Sequence, residues 1–210
     1  MKSLVKVFSV LVVFTFFGLT MGSLVSAEEG IKVGIVLPTT GSLAKFGEIE
    51  RDAFLMAQEE INAAGGINGK KLDLLIEDTT GRPEVGRSVV EKLITKDKVV
   101  MVGGGYSSSV TYAAAGVCQQ NRIPFLVNTG SADKITTSGW DYIFRLNPPV
   151  SKYASAIESL LSEVIKPKTV AILYENSLFG TKGAKSFSKL DEAATRQTIP
   201  AIFFSQINLL

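Results

Sequence analysis

The run Ile31-Lys32-Val33-Gly34-Ile35-Val36-Leu37 decides the architecture. It is nearly continuous in apolar residues rather than alternating, the pattern of a strand buried on both faces of a parallel sheet. Similar runs occur at Leu72 to Ile76, Val99 to Val102, Phe125 to Val127, Thr169 to Tyr174 and Ala201 to Phe204, and a further strand is expected at Tyr142 to Arg145. Between the first two runs, Ile49, Ala53, Met56, Ala57 and Ile61 recur at helical spacing and predict a buried helix face, while Glu48, Asp52 and Glu59 fall mostly elsewhere. Gly65-Gly66 ends that helix. Pro83 stands where a first helical turn accepts it, and Val85, Val89 and Leu93 then repeat every four residues, with Val90 and Ile94 alongside. Strand and helix alternating in this way predict an α/β fold: an open parallel sheet with right-handed crossovers and helices on both faces.

With 210 residues, 46% of them hydrophobic, and Lys+Arg 22 against Asp+Glu 20, the chain can bury a sizeable core, so a disulfide-stapled miniprotein and a disordered chain are both excluded. It has no His, which removes imidazole bases and the commonest transition-metal ligand. One Cys can form neither an internal disulfide nor a thiolate metal cage. No metal site and no cofactor are expected.

Lys2 and Lys6 precede the uncharged stretch Val7 to Val25, which leads to Val25-Ser26-Ala27 before Glu28-Glu29. A basic start, an apolar middle and small residues at the cut predict a cleaved secretory signal at 1–27; an uncleaved membrane anchor is the alternative. Without those residues the chain is neutral, so its charge does not point to nucleic acid. Asn147-Pro148-Pro149 follows the strand expected at Tyr142 to Arg145 and precedes a helix carrying Tyr153, Ile157, Leu160, Leu161 and Val164. Two prolines cannot continue a strand, and they predict a crossing between a first lobe at 28–147 and a second beginning at 148–210.

Ligands of open α/β sheets sit beyond the carboxyl ends of the strands. The loop Pro38 to Gly47 holds Thr39, Thr40, Gly41, Ser42 and Phe46. The loop Gly103-Gly104-Gly105-Tyr106-Ser107-Ser108-Ser109 opens a helix expected over Val110 to Gln120, and Asn128-Thr129-Gly130-Ser131 follows the next strand. Glycines and hydroxyls at helix starts suit a bound anion such as a carboxylate, through free amides and the positive end of the helix dipole. Alternatively, Ser107 to Ser109 cap a helix and the glycines turn the chain. Two such loops together favour a ligand. Phe46-Gly47 and Phe179-Gly180 follow apolar strands, so Phe46 and Phe179 either line an apolar pocket or anchor their own loops.

Sharper motifs fail. No phosphate-binding G-x-x-x-x-G-K-[ST] occurs, and the glycine triplet lacks dinucleotide spacing. Ser-x-x-Lys occurs at Ser3, Ser42, Ser131 and Ser186 without a Lys-Thr-Gly partner, so it is chance. Asp78, Asp133, Lys134 and Glu175 are titratable groups near the strand ends and read as turn residues. Cys118 lies on the helical face of Val110, Ala114 and Val117 and reads as a buried thiol.

Ile31-Lys32-Val33-Gly34, Thr40-Gly41, Phe46-Gly47, the run Glu60-Ile61-Asn62-Ala63-Ala64-Gly65-Gly66-Ile67-Asn68-Gly69-Lys70-Lys71-Leu72, Glu77-Asp78, the Ser triplet, Phe144-Arg145 and Val170 to Tyr174 resemble type I periplasmic binding proteins, above all the Leu/Ile/Val-binding branch. The resemblance covers roughly residues 31 to 190. It implies two lobes that close on an amino acid and deliver it to an ABC permease of the inner membrane, from a monomer in the periplasm or outside the cell. It further implies that Ser107 binds the ligand carboxylate, that Thr129, largely through its backbone, and Ser131 add polar groups, and that Phe46 and Phe179 flank the ligand. Tyr106 and Ser108 adjoin them. In such proteins the acid that meets the ligand ammonium comes from sequence beyond the position of Leu210. The chain therefore reads as a shortened form that binds amino acids weakly; an α/β enzyme for a small carboxylate or phosphate, or a product without function, are the competing readings.

Overall fold

The computed structural model describes residues 30–167, 170, 172–194 and 202–204. The expected signal segment 1–27, and Thr169, Ala171 and Ala201 of the expected strands, lie outside them. Strand β1 (Ile31–Leu37) pairs in parallel with β2 (Leu72–Asp78) along its whole length, from Ile31 opposite Leu72 to Leu37 opposite Asp78. Its other edge takes β3 (Met101–Gly104), with Val33 opposite Met101. Then come β4 (Phe125–Val127) and β5 (Ile143–Arg145), giving the order β2-β1-β3-β4-β5 with every pairing parallel.

Helices cover both faces, as predicted. Helices α2 (Pro83–Thr95, with Pro83 in its first turn) and α3 (Ser108–Asn121) bring Val90, Leu93, Ala114 and Cys118 against Val36, Val102, Phe125 and Val127. On the opposite face Val33, Ile35 and Leu37 meet Phe54 of α1 (Ala44–Ala63), Leu74, Ile76 and Met101. Cys118 is fully buried, and burial pushes its thiol up to about 12, so it is an inert packing group.

Two expectations need correction. The third strand begins at Met101 rather than Val99 and takes in Gly103 and Gly104, which read as loop. Its register against β1 requires those glycines: a Cβ on Gly104 would stand 2.6 Å from the Val36 carbonyl oxygen, and φ there is +101°. The face of α1 is also different. Ile49 and Met56 are 61% and 60% exposed, while Phe54, Gln58 and Asn62 turn inward. The cause lies at the sheet margin. β2 is an edge strand, and α1 supplies its missing partners: Leu74 N–H donates to Gln58 Oε1 at 2.7 Å, Leu72 N–H to Asn62 Oδ1 at 2.8 Å, and Asn62 Nδ2 to the Leu72 carbonyl at 2.8 Å. Polar side chains therefore occupy the inner face. Gly47, near the start of the helix, allows the close approach, because a Cβ there would lie 2.1 Å from the Pro38 carbonyl oxygen.

Beyond β5 and Asn147-Pro148-Pro149, and after a short helix α4 (Lys134–Thr137) that precedes β5, the chain forms α5 (Val150–Ser159), a π-helical segment Leu160–Ile165, β6 (Leu173–Glu175), α6 (Leu178–Ala194) and β7 (Ile202–Phe204). Strands β6 and β7 make a separate parallel pair. Tyr153, Ile157, Leu160 and Val164 of this stretch are exposed. Among the described residues no helix is long and apolar enough to cross a membrane.

Candidate functional site

The strand ends of β3 and β4 feed two loops that are bonded into one wall. Gly130 N–H donates to the Gly105 carbonyl at 2.7 Å, and Asn128 N–H to the Gly104 carbonyl at 3.2 Å. Ser108 is buried, and its Oγ accepts the amides of Ser131 at 3.2 Å and Ala132 at 3.1 Å. Glycine is required at position 105, where φ is +94° and a Cβ would stand 2.8 Å from Thr111 Oγ1.

This wall carries the start of α3. Ser107 occupies the N-cap position in extended conformation, yet its side chain makes no cap hydrogen bond. The amides of the first helical turn have no acceptor within the helix, and the dipole adds partial positive charge there. Thr129 uses its hydroxyl to donate to Glu50 Oε1 and its carbonyl to accept from Asn147 Nδ2 at 2.7 Å. Ser131 is buried, and its carbonyl accepts from Val150 N–H at 2.7 Å, tying the wall to α5.

A second wall comes from the end of β6. Ser177 donates its hydroxyl to Glu175 and accepts Gly180 N–H at 3.1 Å, which ties the Glu175 carboxylate to the first turn of α6. Leu178 N–H donates to Ser109 Oγ at 3.3 Å, which joins this wall to α3. Together they enclose a pocket of roughly 600 Å³. All seven residues singled out from the sequence line it: Ser107, Thr129, Ser131, Phe46, Tyr106, Ser108 and Phe179. Phe46, in the first turn of α1, stacks on Tyr106 with ring centroids 5.0 Å apart, so it partners a pocket aromatic. Burial pushes the Tyr106 hydroxyl above its ordinary pKa, and the nearby charges of Glu50 and Glu175 add to this. Tyr106 therefore stays a neutral donor.

Ser42, of the first ligand loop read from the sequence, also lines the pocket, while sequence reasoning missed Leu43, Tyr153, Glu175 and Ser177 as lining residues. Glu175 and Ser177 stand at a strand's carboxyl end, where ligands gather, and that position was the available signal. The other three titratable groups brace the scaffold. Asp78 Oδ1 accepts the amides of Thr39 and Thr80 at 2.9 and 2.8 Å, and its carboxylate also takes the Thr40 hydroxyl. Burial raises the Asp78 pKa, but those bonds outweigh it and hold the carboxyl below its usual range. Asp133 accepts from Ser151, and the Lys134 ammonium lies 4.5 Å from the Tyr112 ring centroid. Among the described residues no cluster of His, Cys, Asp and Glu could hold a metal ion.

A sequence profile described as Periplasmic binding protein matches residues 30–205. A leucine-, isoleucine-, valine-, threonine- and alanine-binding protein of Pseudomonas aeruginosa is 31% identical over 168 residues, which is 80% of this chain and 45% of that protein. A Leu/Ile/Val-binding protein homolog 7 of Brucella abortus is 32% identical over 168 residues, 76% of this chain and 42% of that protein. The branched-chain amino acid transporter substrate-binding protein LivJ from Streptococcus pneumoniae, solved with isoleucine, superposes with a TM-score of 0.73 at 30% identity, over 83% of this chain and 49% of that one. The chain thus spans about half the length of the proteins it matches.

Proposed function

The chain belongs to the periplasmic binding protein family, and on that footing we propose that it is the extracytoplasmic receptor of an ABC importer, binding an amino acid, branched-chain or similar, between the Ser107 wall and the Glu175 wall. The supporting observation is the pocket's charge pattern. Its lining has neutral hydroxyl donors on one side, at the start of α3 and in the Thr129–Ser131 loop, and Glu175 on the other; among the described residues no Lys or Arg lines it. A carboxylate suits the donors, because bonds to a charged acceptor are stronger than neutral ones. An ammonium suits Glu175, an acid of this chain itself, where the resemblance implies one from beyond the position of Leu210. The aromatic rings of Phe46, Tyr106 and Phe179 leave an apolar face for an aliphatic side chain.

Leucine, isoleucine and valine in the names of the relatives support this ligand class. The protein is a carrier rather than an enzyme in this reading, needs no cofactor, and hands its ligand to a membrane permease. Titration of the isotope-labelled chain with leucine, isoleucine and valine, followed by amide resonances up to millimolar concentrations, tests it. Shifts concentrated in Gly105 to Ser109 and Thr129 to Ser131 are expected. Shifts absent from both loops for all three ligands would exclude the reading.

A further inference from the structure

Three serines stand in a row at the start of α3, and each has a different task. Successive residues of a helix project about 100° apart, so a triplet reaches three different surroundings. Ser107 lines the pocket, and Ser108 holds the loop after β4. Ser109 is half-buried and meets the second wall, where its Oγ accepts the Leu178 N–H at 3.3 Å across 69 residues of sequence.

Leu178 opens α6, and its amide is one of the first-turn amides that no carbonyl of the same helix can reach. Ser177 caps this turn from within, by accepting Gly180 N–H at 3.1 Å. Ser109 completes from another helix the cap that α6 begins for itself. The contact is also apolar, because the Leu178 side chain packs against the core that holds Val90, Ala114, Phe125 and Val127. Leu178 further stands between the two groups that this wall brings to the pocket. On one side Ser177 is bonded to Glu175, and on the other Phe179 lines the pocket. Gly180 lets Glu175 and the turn pack as one piece, since a Cβ there would stand 2.2 Å from the Glu175 carbonyl oxygen. Among the described residues no strand pairing joins β6 and β7 to the five-stranded sheet. The separation of Glu175 and Phe179 from the Ser107 wall is therefore set by side-chain contacts rather than by a backbone ladder.

We propose that Ser109 and Leu178 form a clasp that fixes the second wall against the first and so sets the width of the pocket. Neither residue lines the pocket; both are positioning residues that act through Glu175 and Phe179. Any consequence for affinity rests on the amino-acid reading, and the clasp itself does not.

The distance between the walls tests this without a ligand, so a failure of the amino-acid reading leaves the result untouched. Cys118 is buried and inert, so Lys45→Cys and Thr181→Cys, at exposed positions of α1 and α6, take one spin label each. Pulsed electron-resonance distance measurement on this doubly labelled chain should give one narrow population. Adding Ser109→Ala, which removes a single oxygen, should raise the share of longer distances by about two- to tenfold, the effect of losing one neutral hydrogen bond. Leu178→Ala should raise it further, and Ser109→Thr, which keeps the hydroxyl, should restore the narrow population. Amide resonances of Ile31–Leu37 should stay in place in Ser109→Ala, which separates movement of a wall from unfolding. Equal distances in the native, Ser109→Ala and Leu178→Ala chains would overturn the proposal, as would a native chain already as broad as the variants. Loss of the Ile31–Leu37 resonances in Ser109→Ala would overturn it too, by making Ser109 a support of the whole fold.

Discussion

Ser108 and Ser131 are bonded to each other: the Ser131 amide donates to Ser108 Oγ at 3.2 Å, within a site where both residues are buried. Two loops that follow different strands thus form one surface, and a single hydroxyl serves two amides, those of Ser131 and Ala132. Ser108→Ala should leave both amides without an acceptor and cost about 1 to 3 kcal/mol of stability, the usual range for stranded buried donors. Denaturant unfolding measures it; a loss below a few tenths of a kcal/mol would show that the loops hold together without this bond.

Ser107 should behave in the opposite way. Its hydroxyl makes no cap bond, so Ser107→Ala should change stability by no more than about 0.5 kcal/mol. Removing a donor to a bound carboxylate should weaken ligand binding by roughly 1 to 3 kcal/mol. Resonance titration with leucine reads the second effect and thermal unfolding the first. Unchanged binding would reduce Ser107 to a helix start.

Asp78 gives a pH signature of its own. Its carboxyl pKa is lowered, so its stabilising contribution is present above the ordinary aspartate value and is lost as pH falls through the folded one. Asp78→Asn should be less stable than the native chain at neutral pH, and the gap should close on acidification. A gap that stays constant with pH would mean that the Thr39–Thr40 loop is held by shape rather than charge.

Export is open to direct observation. Cleavage after Ala27 should give an extracytoplasmic protein beginning at Glu28, read by N-terminal sequencing. Recovery solely in membranes with Met1 intact would contradict this.

The strands and the pocket loops were legible because both follow from strong local signals: buried parallel strands are continuous apolar runs, and ligands gather at their carboxyl ends. The seven chosen residues come from those loops and line one pocket. Less local features were not legible. The inner face of α1 is set by Gln58 and Asn62 bonding an edge strand, which reverses the usual polar-out pattern and leaves Ile49 and Met56 outside. Glu50 was hidden for a similar reason, since its partner Thr129 is distant in sequence and only the fold brings them together. Glu175 reads as a turn residue until β6 places it on the pocket wall.

Recognition of both charges of an amino acid is the central claim, and comparing leucine with 4-methylpentanoate, the same carboxylate and side chain without the ammonium, tests it most directly. Dissociation constants for the two, measured by resonance titration at neutral pH, should differ by tenfold or more in favour of leucine, about 1.4 kcal/mol, and Glu175→Gln should shrink the difference. Equal affinity for the two, or a preference for the carboxylate alone, would contradict the claim and assign the pocket to simple organic acids.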